Sequence, residues 1–239
     1  MSFDADLREE LFIRYGKKNL TVRKWKYYQK VILWDVTIWL SHLLKRLLDI
    51  IVSSIALIAL SPIFLITSIA IFIEDPGPIF YVQTRVGKNG REIKFPKFRS
   101  MITNADQIKE ELMEQNESED GVIFKMKDDP RITKVGRIIR RFSIDELPQI
   151  LMVLKGDMSL VGPRPPLPDE VAEYTLEDRK RLHVTPGITG IWQVSGRSDI
   201  PFKQQVELDK LYIRNQSFWK DIIILLKTIP AVLTGKGAY

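Results

Sequence analysis

The chain has 239 residues, of which 45% are apolar, and a formal net charge of +6. This length fits one domain with accessory segments or two small domains, and the apolar content excludes disorder along the whole chain. The basic charge favours an anionic partner, and charge alone does not distinguish a nucleic acid, a phosphorylated metabolite or an acidic lipid headgroup. The lack of cysteine and the presence of only two histidines exclude disulfides, thiolate catalysis and a cysteine- or histidine-based metal cluster.

The first 44 residues form an N-terminal extension in two parts. Residues 1–30 have mixed charge and place Trp25 and Tyr27 among cations, which suits either a solvated helix or a membrane interface, where aromatic rings settle at headgroup depth. Residues 31–44 are too few to span a bilayer and contain Asp35. We predict that they form an amphipathic helix that lies in the interface or packs on the core.

The longest apolar run covers residues 47–73 and is interrupted by Asp49 near its start and by Ser61 and Pro62 at its middle. A continuous helix of this length measures roughly 40 Å, enough to cross a hydrocarbon core of about 30 Å with tilt. Proline inside a helix removes a backbone donor and clashes with the preceding turn, so Pro62 is predicted to kink or break the helix. Each arm would then reach only about 18–21 Å, into one leaflet.

Basic residues on both sides of the run help to decide its topology. Lys45 and Arg46 precede it, and six cations follow within a short distance: Arg85, Lys88, Arg91, Lys94, Lys97 and Arg99. Under the positive-inside rule both flanks belong on the cytoplasmic face. We therefore predict that residues 45–74 form a re-entrant hairpin broken at Ser61 and Pro62, in preference to a spanning helix or a buried core helix.

Residues 75–239 are predicted to form a catalytic domain. Residues 79–82 and 92–95 have the composition of strands, and Asn89-Gly90 between them predicts a β-hairpin. Residues 102–114 form a polar helix, and Asp129-Pro130 is a turn before the next helix. The fold class predicted from these elements is α+β, mostly α.

The stretch 140–149 places two adjacent carboxylates after a pair of arginines. Ser143 and Glu146 have the spacing of a capping box, which leaves Asp145 in the first helical turn, where free N–H groups attract an anion. Neighbouring helical residues diverge by about 100°, so separate roles are natural, with one carboxylate attacking phosphorus and the other holding Mg²⁺. Spacing alone leaves a surface helix cap as the stronger interpretation.

Two further segments carry candidate ligand-binding residues. Prolines fix the backbone around Arg164, which suits bidentate binding of a pyrophosphate or an exposed Pro-rich connection. The glycine-punctuated loop 185–197 contains Trp192, Gln193 and Arg197. It suits recognition of a nucleotide base and phosphate, or a loop that is only rich in turns.

Five ordered motifs resemble those of the bacterial sugar transferases, the monotopic phosphoglycosyl transferases. They are KFRSM at 97–101, DPRITKVG at 129–136, SIDELPQ at 143–149, KGDMSLVGPRP at 155–165 and PGITGIWQVSGRS at 186–198. The resemblance extends from about residue 45 to the C-terminus and includes the Ser61-Pro62 step. Met152 departs from it, since many relatives have Asn there, and it is expected to repack a helix face.

The resemblance implies an enzyme on the cytoplasmic face of the bacterial inner membrane. Such an enzyme moves a sugar-1-phosphate from a UDP-sugar to polyprenyl (undecaprenyl) phosphate with Mg²⁺, and starts the membrane stage of polysaccharide or glycoconjugate synthesis. Its partners are the two substrates and the lipid of one leaflet, with no nucleic acid. The extension 1–44 lies outside the minimal catalytic unit and suits a homodimer contact.

The resemblance also implies roles for individual residues. Asp145 would be the nucleophile that forms a covalent phosphosugar adduct and releases UMP, and Glu146 would act with Mg²⁺. The remaining site residues would bind phosphate or other parts of the substrates: Arg140, Arg164, Lys97, Arg99, Gln193 and Arg197. Nothing in the sequence identifies the sugar.

The C-terminal segment offers a second attachment to the membrane. Residues 218–227 and 229–233 are predicted to be short amphipathic pieces separated at Pro230, which lie at headgroup level or pack on the core. Two rival functions remain open from the sequence. They are direct glycosyl transfer, which would release UDP, and a non-catalytic scaffold that binds anionic lipid.

Overall fold

The computed structural model describes Glu10, Ile13 and residues 22–112 and 129–235. The chain divides into two compact units, residues 1–48 and residues 49–239. One helix, α1 (Val22–Glu74), begins in the first unit and ends in the second. Within the described residues its part Tyr27–Glu74 is the one helix long and apolar enough to cross a membrane, with a mean hydropathy of 2.5 in its most apolar window.

Pro62 lies inside α1 and does not end it. Proline at this position cannot donate to the carbonyl of Ile58, four residues earlier. The hydroxyl of Ser61 donates to that same carbonyl over 2.8 Å and so replaces the missing donor. Of the two predicted effects of Pro62, a break in the helix is therefore wrong, and a kink stays a prediction. The steric effect of a proline still favours a bend at this step.

A β-hairpin follows α1, as predicted, with strands longer than the sequence indicated. Strand β1 (Phe80–Val86) pairs antiparallel with β2 (Glu92–Phe98), and Phe80 lies opposite Phe98. Asn89 has φ 57° and Gly90 has φ 79°. Both residue types tolerate this left-handed region, so the Asn-Gly pair correctly indicated the turn.

The remaining elements are mostly short and helical, which agrees with the predicted α+β class. The turn at Asp129 is confirmed, since its carbonyl accepts from the N–H of Ile132 over 3.2 Å. In chain order the helices and strands after β2 are α2 (Ala105–Leu112), α3 (Lys134–Arg141), a 3₁₀ helix (Ile144–Gln149), α4 (Ile150–Lys155), β3 (Ser159–Val161), α5 (Pro168–Ala172), a 3₁₀ helix (Asp178–His183), β4 (Gly187–Thr189), two 3₁₀ helices (Trp192–Val194 and Arg197–Asp199), α6 (Phe202–Arg214) and α7 (Phe218–Thr234). A further 3₁₀ helix (Lys88–Gly90) forms the turn between β1 and β2, and strands β3 and β4 pair in parallel.

Strand β2 joins the two apolar clusters of the second unit. Phe95 belongs to the larger cluster, which includes Val153 and Tyr212, and Phe98 packs in the smaller cluster with Ile71 of α1. Met152 is buried in the larger cluster, in agreement with its predicted packing role. Because β2 is fixed on both sides, residues between these two phenylalanines have little freedom to move.

Helix α3 is anchored at its N-terminus by two side chains. Thr133 accepts from the N–H of Gly136 over 2.8 Å, and the carboxylate of Glu74 accepts from the N–H groups of Lys134 and Val135 over 2.7 and 2.8 Å. A Cβ on Gly136 would lie 1.9 Å from the carbonyl oxygen of Ser100, so only glycine allows this approach. These contacts place the C-terminal turn of α3 beside the end of β2.

Helix α7 continues through Pro230 to Thr234, so the predicted separation into two pieces is wrong. One face is buried, and there Asp221 accepts from the hydroxyl of Tyr212 over 2.7 Å. The other face exposes a stripe of large apolar side chains: Trp219, Ile223, Leu226, Ile229 and Leu233. The predicted packing on the core is therefore confirmed for one face of α7, and contact of its exposed face with lipid stays a prediction.

Candidate active site

A cavity of about 540 Å³ opens between β2, the 3₁₀ helix Ile144–Gln149, the segment after β3 and the inner face of α7. Its lining contains all but one of the residues predicted to bind or transform substrate. They are Lys97, Arg140, Asp145, Glu146, Arg164, Gln193 and Arg197. The wall contributed by α7 is uncharged, with Leu225, Thr228, Ala231 and Val232.

The two adjacent carboxylates do not form the predicted capping box. Ser143 has φ 53°, its hydroxyl makes no cap hydrogen bond, and it accepts instead from Nη2 of Arg197 over 2.5 Å. Glu146 turns into the cavity toward two cations. The capping-box prediction is therefore wrong, because charged partners bind a carboxylate more strongly than a backbone amide does. The prediction of Asp145 in the first turn of a helix is correct.

Glu146 is held by both cations. Its Oε1 lies 2.8 Å from Nζ of Lys97 and 2.8 Å from Nη2 of Arg164, and its Oε2 accepts from Nη1 of Arg164 over 3.4 Å. Burial acts to raise the pKa of Glu146, but the charges of Arg164 and Lys97 outweigh it and hold that pKa well below its usual range. Glu146 is therefore ionised at neutral pH.

Asp145 is placed differently although it is the next residue. Its side chain is buried, with the residue 7% exposed, and its nearest cation is Nζ of Lys97 at 4.0 Å. Within the described residues its carboxylate accepts no hydrogen bond, and it lines the cavity. Burial raises the pKa of Asp145 to about 6, and the charge of Glu146 adds to this effect while Lys97 opposes it. The pair thus consists of one stabilised carboxylate and one poorly solvated carboxylate.

Two further arginines border the cavity. Nε of Arg140 donates to the hydroxyl of Ser100 over 3.0 Å, which fixes the end of α3 to the serine of the KFRSM motif. Burial lowers the pKa of Arg140 and of Arg197, while the charges of Asp145 and Glu146 act in the opposite direction. Both side chains remain cationic, so the cavity can bind an anionic group.

Arg99 lies outside the cavity lining, in contrast to its expected neighbours. Its guanidinium bonds the carbonyl of Asp75 and lies 3.6 Å from the carboxylate of the same residue. A Cβ on Gly77 would lie 2.6 Å from Nη1 of Arg99. Arg99 thus fastens the turn after α1 to the end of β2. The side chain of Arg99 therefore contacts this turn and does not face the cavity.

Three charged residues of the cavity were not predicted from the sequence. Arg85 was counted only as a flanking charge, and neither Arg181 nor Glu170 was singled out, yet all three line the cavity. No local motif marks them, because each reaches the site from a different element. Trp192 also lines it, and its position in the glycine-punctuated loop did indicate a role there.

The site residues fit a magnesium ion that shares its coordination with substrate. Within the part of the chain that the structure describes, no group of three or more His, Cys, Asp or Glu could hold a metal ion. Mg²⁺ is usually held by one or two carboxylates, with substrate phosphates and water completing the shell. Asp145 and Glu146 supply hard oxygen atoms, and the low pKa of Glu146 keeps one carboxylate ionised.

Comparison with known proteins identifies the family. The family model described as bacterial sugar transferase matches residues 40–235. The chain belongs to the bacterial sugar transferase family. This sugar transferase is 46% identical over 244 residues to the galactosyl transferase CpsE of Streptococcus agalactiae serotype III (strain NEM316), an alignment that covers 100% of this chain and 51% of that protein.

Two other relatives differ in length. The exopolysaccharide production protein ExoY of Sinorhizobium fredii is 42% identical over 198 residues, which covers 82% of this chain and 88% of that protein. The undecaprenyl-phosphate galactose phosphotransferase of Salmonella typhimurium is 45% identical over 202 residues, which covers 83% of this chain and 42% of that protein. The sugar transferase thus spans about half of CpsE but most of ExoY.

Proposed function

We propose that this sugar transferase is a phosphoglycosyl transferase that moves a sugar-1-phosphate from a UDP-sugar to polyprenyl phosphate. The observation that carries the proposal is the carboxylate of Asp145, which is buried, lines a cation-bordered cavity and accepts no hydrogen bond within the described residues. Among the described residues its ion-pair partner is Lys97, at 4.0 Å, so the carboxylate stays open to a ligand in the cavity. The relative from Salmonella typhimurium is named for transfer of this kind.

In the first step an oxygen of Asp145 attacks the phosphorus that carries the sugar. The bond from that phosphorus to the bridging oxygen breaks, and UMP leaves with the bridging oxygen and the electron pair. Arg164 and Lys97 bind the phosphoryl oxygens, and the orientation of Arg164 is fixed beforehand by Glu146. The charges of Lys97, Arg140 and Arg164 oppose the effect of burial and favour the ionised form of Asp145 that attacks.

In the second step an oxygen of polyprenyl phosphate attacks the same phosphorus. The bond between phosphorus and the oxygen of Asp145 breaks, which restores the carboxylate and gives a polyprenyl diphosphate sugar. Mg²⁺, held by Glu146 and the substrate phosphates, would neutralise negative charge on the phosphoryl oxygens. The cations of the site therefore hold two phosphate groups in succession, first the donor and then the acceptor.

We also propose that residues 45–74 enter and leave the inner membrane on its cytoplasmic side, as a re-entrant hairpin. Asp49 accepts from the N–H of Leu160 over 2.9 Å, and Glu74 accepts from the start of α3, so both ends of the apolar segment are attached to the same folded unit. In a straight helix these two carboxylates would be about 38 Å apart, beyond the thickness of a hydrocarbon core. A bend at Pro62 would place the exposed middle of the segment in lipid. Both ends of the segment could then contact a catalytic domain that lies on one side of the membrane.

The topology can be tested by labelling, because the chain has no native cysteine. Ser41→Cys and Lys88→Cys, one at a time, should react with a membrane-impermeant reagent in inverted inner-membrane vesicles and stay unreactive in intact cells. If the two cysteines react from opposite sides of the membrane, the helix spans it and the re-entrant topology is wrong. A homodimer through residues 1–44 remains a separate prediction, which the mass of the solubilised protein tests.

The chemistry can be tested by identifying the released nucleotide. The full chain, with undecaprenyl phosphate, Mg²⁺ and a panel of UDP-sugars, should release UMP with one or more of them. Asp145→Asn should abolish release, whereas Asp106→Asn on the exposed surface of α2 serves as the matched control and should retain it. Incubation with the donor alone should add the mass of one sugar phosphate to the protein.

Three results would contradict the proposed function or its mechanism. Release of UDP would show direct glycosyl transfer. Full turnover by Asp145→Asn would exclude it as the nucleophile. Binding of anionic vesicles without turnover of any UDP-sugar would favour a lipid-binding scaffold, a reading that the basic flanks and the exposed stripe of α7 otherwise permit.

A further inference from the structure

The segment 162–166, which carries Arg164, has an unusual backbone chemistry. Pro163, Pro165 and Pro166 have no N–H group, so three of its five residues cannot donate a backbone hydrogen bond. Prolines restrict the φ angles of the segment but do not attach it to the rest of the protein. Its position relative to the cavity must therefore be set chiefly by donors that reach its carbonyl groups.

Four consecutive carbonyl groups of this segment are each bound by a different donor. Backbone N–H groups hold the first and the last: that of Gly187 donates to Pro163 over 2.8 Å, and that of Val86 donates to Pro166 over 2.9 Å. Guanidinium groups hold the two between them. Nη2 of Arg181 donates to the carbonyl of Arg164 over 3.2 Å, and Nη1 of Arg85 donates to that of Pro165 over 3.1 Å.

The guanidinium of Arg181 is fixed by two further side chains. It bonds the carboxylate of Asp209 on α6, and its Nη1 donates to the hydroxyl of Tyr174 over 2.6 Å. Arg181 is 5% exposed and Asp209 is 1% exposed. A buried charge pair of this kind contributes little net stability, and its value lies in fixing geometry. Asp209 lies outside the lining of the cavity and acts on it through neighbouring side chains, first Arg181 and more weakly Trp192.

The guanidinium of Arg85 is restrained in a parallel way. It lies 3.9 Å from the carboxylate of Glu170, its Nε donates to the side chain of Gln83 over 3.0 Å, and it stacks 5.5 Å from the centre of the Phe95 ring. The ion pair of Arg85 with Glu170 is longer than that of Arg181 with Asp209, and the other contacts of Arg85 are with uncharged side chains. The carbonyl of Arg164 itself is held only through Arg181 among the described contacts.

We propose that Asp209 is a positioning residue for Arg164. Its carboxylate fixes the guanidinium of Arg181, which fixes the carbonyl of Arg164 and thereby sets where the side chain of Arg164 meets Glu146 and an incoming phosphate. The proposal rests on the proposed function only in taking the cavity as a phosphate site. It predicts that loss of Asp209 weakens phosphate binding chiefly through Arg164.

A double-mutant cycle on the full chain in detergent tests this prediction, with inorganic pyrophosphate as the probe and calorimetry as the measurement. Asp209→Asn should weaken pyrophosphate binding roughly tenfold, within the range for directly coupled residues. In an Arg164→Ala background the same substitution should change affinity by less than about twofold. Equal losses in both backgrounds would show that Asp209 acts independently of Arg164 and would overturn the proposal.

A matched control separates positioning from general destabilisation. Asp129 forms a similarly buried pair with Arg131, at 2.6 Å, and touches no residue of the segment 162–166. Asp129→Asn should lower the melting temperature by a similar amount but weaken pyrophosphate binding much less, and equally in the Arg164→Ala background, because Asp129 acts on the charge of Arg140. If both variants weaken binding to the same extent, the effect is one of stability and the proposal fails.

A milder variant keeps the test decisive if Asp209→Asn does not fold. Tyr174→Phe removes only the hydroxyl that holds Nη1 of Arg181. It should weaken pyrophosphate binding about threefold, and this loss should also disappear in the Arg164→Ala background. An unchanged affinity for Tyr174→Phe would then refute the proposal.

The proposed function and this inference can fail separately. A wild-type protein that binds pyrophosphate but releases no UMP from any UDP-sugar would refute the function, while the cycle would still report on Asp209. A wild-type protein that does not bind pyrophosphate would refute the inference, because Arg164 would then hold no phosphate.

Discussion

Asp145→Asn should make the protein inactive and more stable at the same time. The substitution keeps the shape of the side chain and removes a charge that burial disfavours. In the folded protein the pKa of Asp145 is raised to about 6 from its usual value of 3.8. A carboxylate that existed only to support the fold would show the opposite relation, because its loss would destabilise the protein.

The magnitude follows from proton linkage. The difference between 3.8 and about 6 corresponds to about 3 kcal/mol of unfavourable free energy when Asp145 is ionised, at any pH above both values. Folding raises the pKa, so this penalty is fully present above pH 6 and disappears as the pH falls below 3.8. At pH 5 about half of it remains.

Thermal unfolding in detergent with EDTA measures the effect without bound metal. At pH 7.5 Asp145→Asn should raise the melting temperature by up to roughly 6–12 °C, and at pH 5 by about half as much. Turnover should fall at least about a thousandfold, as expected for loss of a nucleophile. Glu146→Gln is the matched control, because it removes the carboxylate partner of Lys97 and Arg164 and should lower stability by about 3–5 kcal/mol.

Two results would refute this reasoning. One is a melting temperature for Asp145→Asn that is equal to or below that of the wild type at pH 7.5, since the carboxylate would then be well solvated or paired. The other is a gain in stability that does not shrink toward pH 5, which would assign the effect to packing and not to charge.

Three further predictions concern the supports of the site. Arg164→Lys keeps the charge but loses the two-point contact with Glu146, so UMP release should fall roughly tenfold to a hundredfold with little change in melting temperature. Asp49→Ala leaves the N–H of Leu160 without its side-chain acceptor and should cost about 1–3 kcal/mol, measured by chemical unfolding in detergent. Ser61→Ala removes the substitute donor beside Pro62 and should lower the melting temperature, whereas Ser61→Thr, which keeps the hydroxyl, should not.

The residues that meet in the cavity could be predicted because they lie in short motifs whose local spacing survives folding. Asp145 and Glu146 are neighbours, and the family resemblance assigned each a role. The contacts that give them different properties could not be predicted. Lys97 and Arg164 lie 49 and 18 residues from Glu146, and no local rule brings them together. The capping box failed for this reason, since local spacing ignores distant partners.

Elements of the fold could be predicted where a residue type fixes a backbone angle. They were predicted less well where a neighbouring side chain replaces a missing backbone hydrogen bond. The Asn-Gly turn followed directly from the left-handed region that both residues tolerate. Pro62 removed a donor as expected, but the hydroxyl of Ser61 supplied another and the helix continued. The role of Arg99 was missed because a motif gives the charge of a residue and not the side on which its guanidinium lies.

The sharing of Glu146 by Lys97 and Arg164 suits an enzyme that must hold two phosphates in turn. Under the proposed function, if both cations were free they would bind the diphosphate of the donor tightly and slow the separation of UMP from the sugar phosphate. Glu146 occupies them between steps, at 2.8 Å from each, so an incoming phosphate must compete with an internal anion. The competition weakens ground-state binding, while charge that develops on the phosphoryl oxygens during transfer strengthens the same contacts. The pairing that lowers the pKa of Glu146 therefore serves turnover as well as geometry.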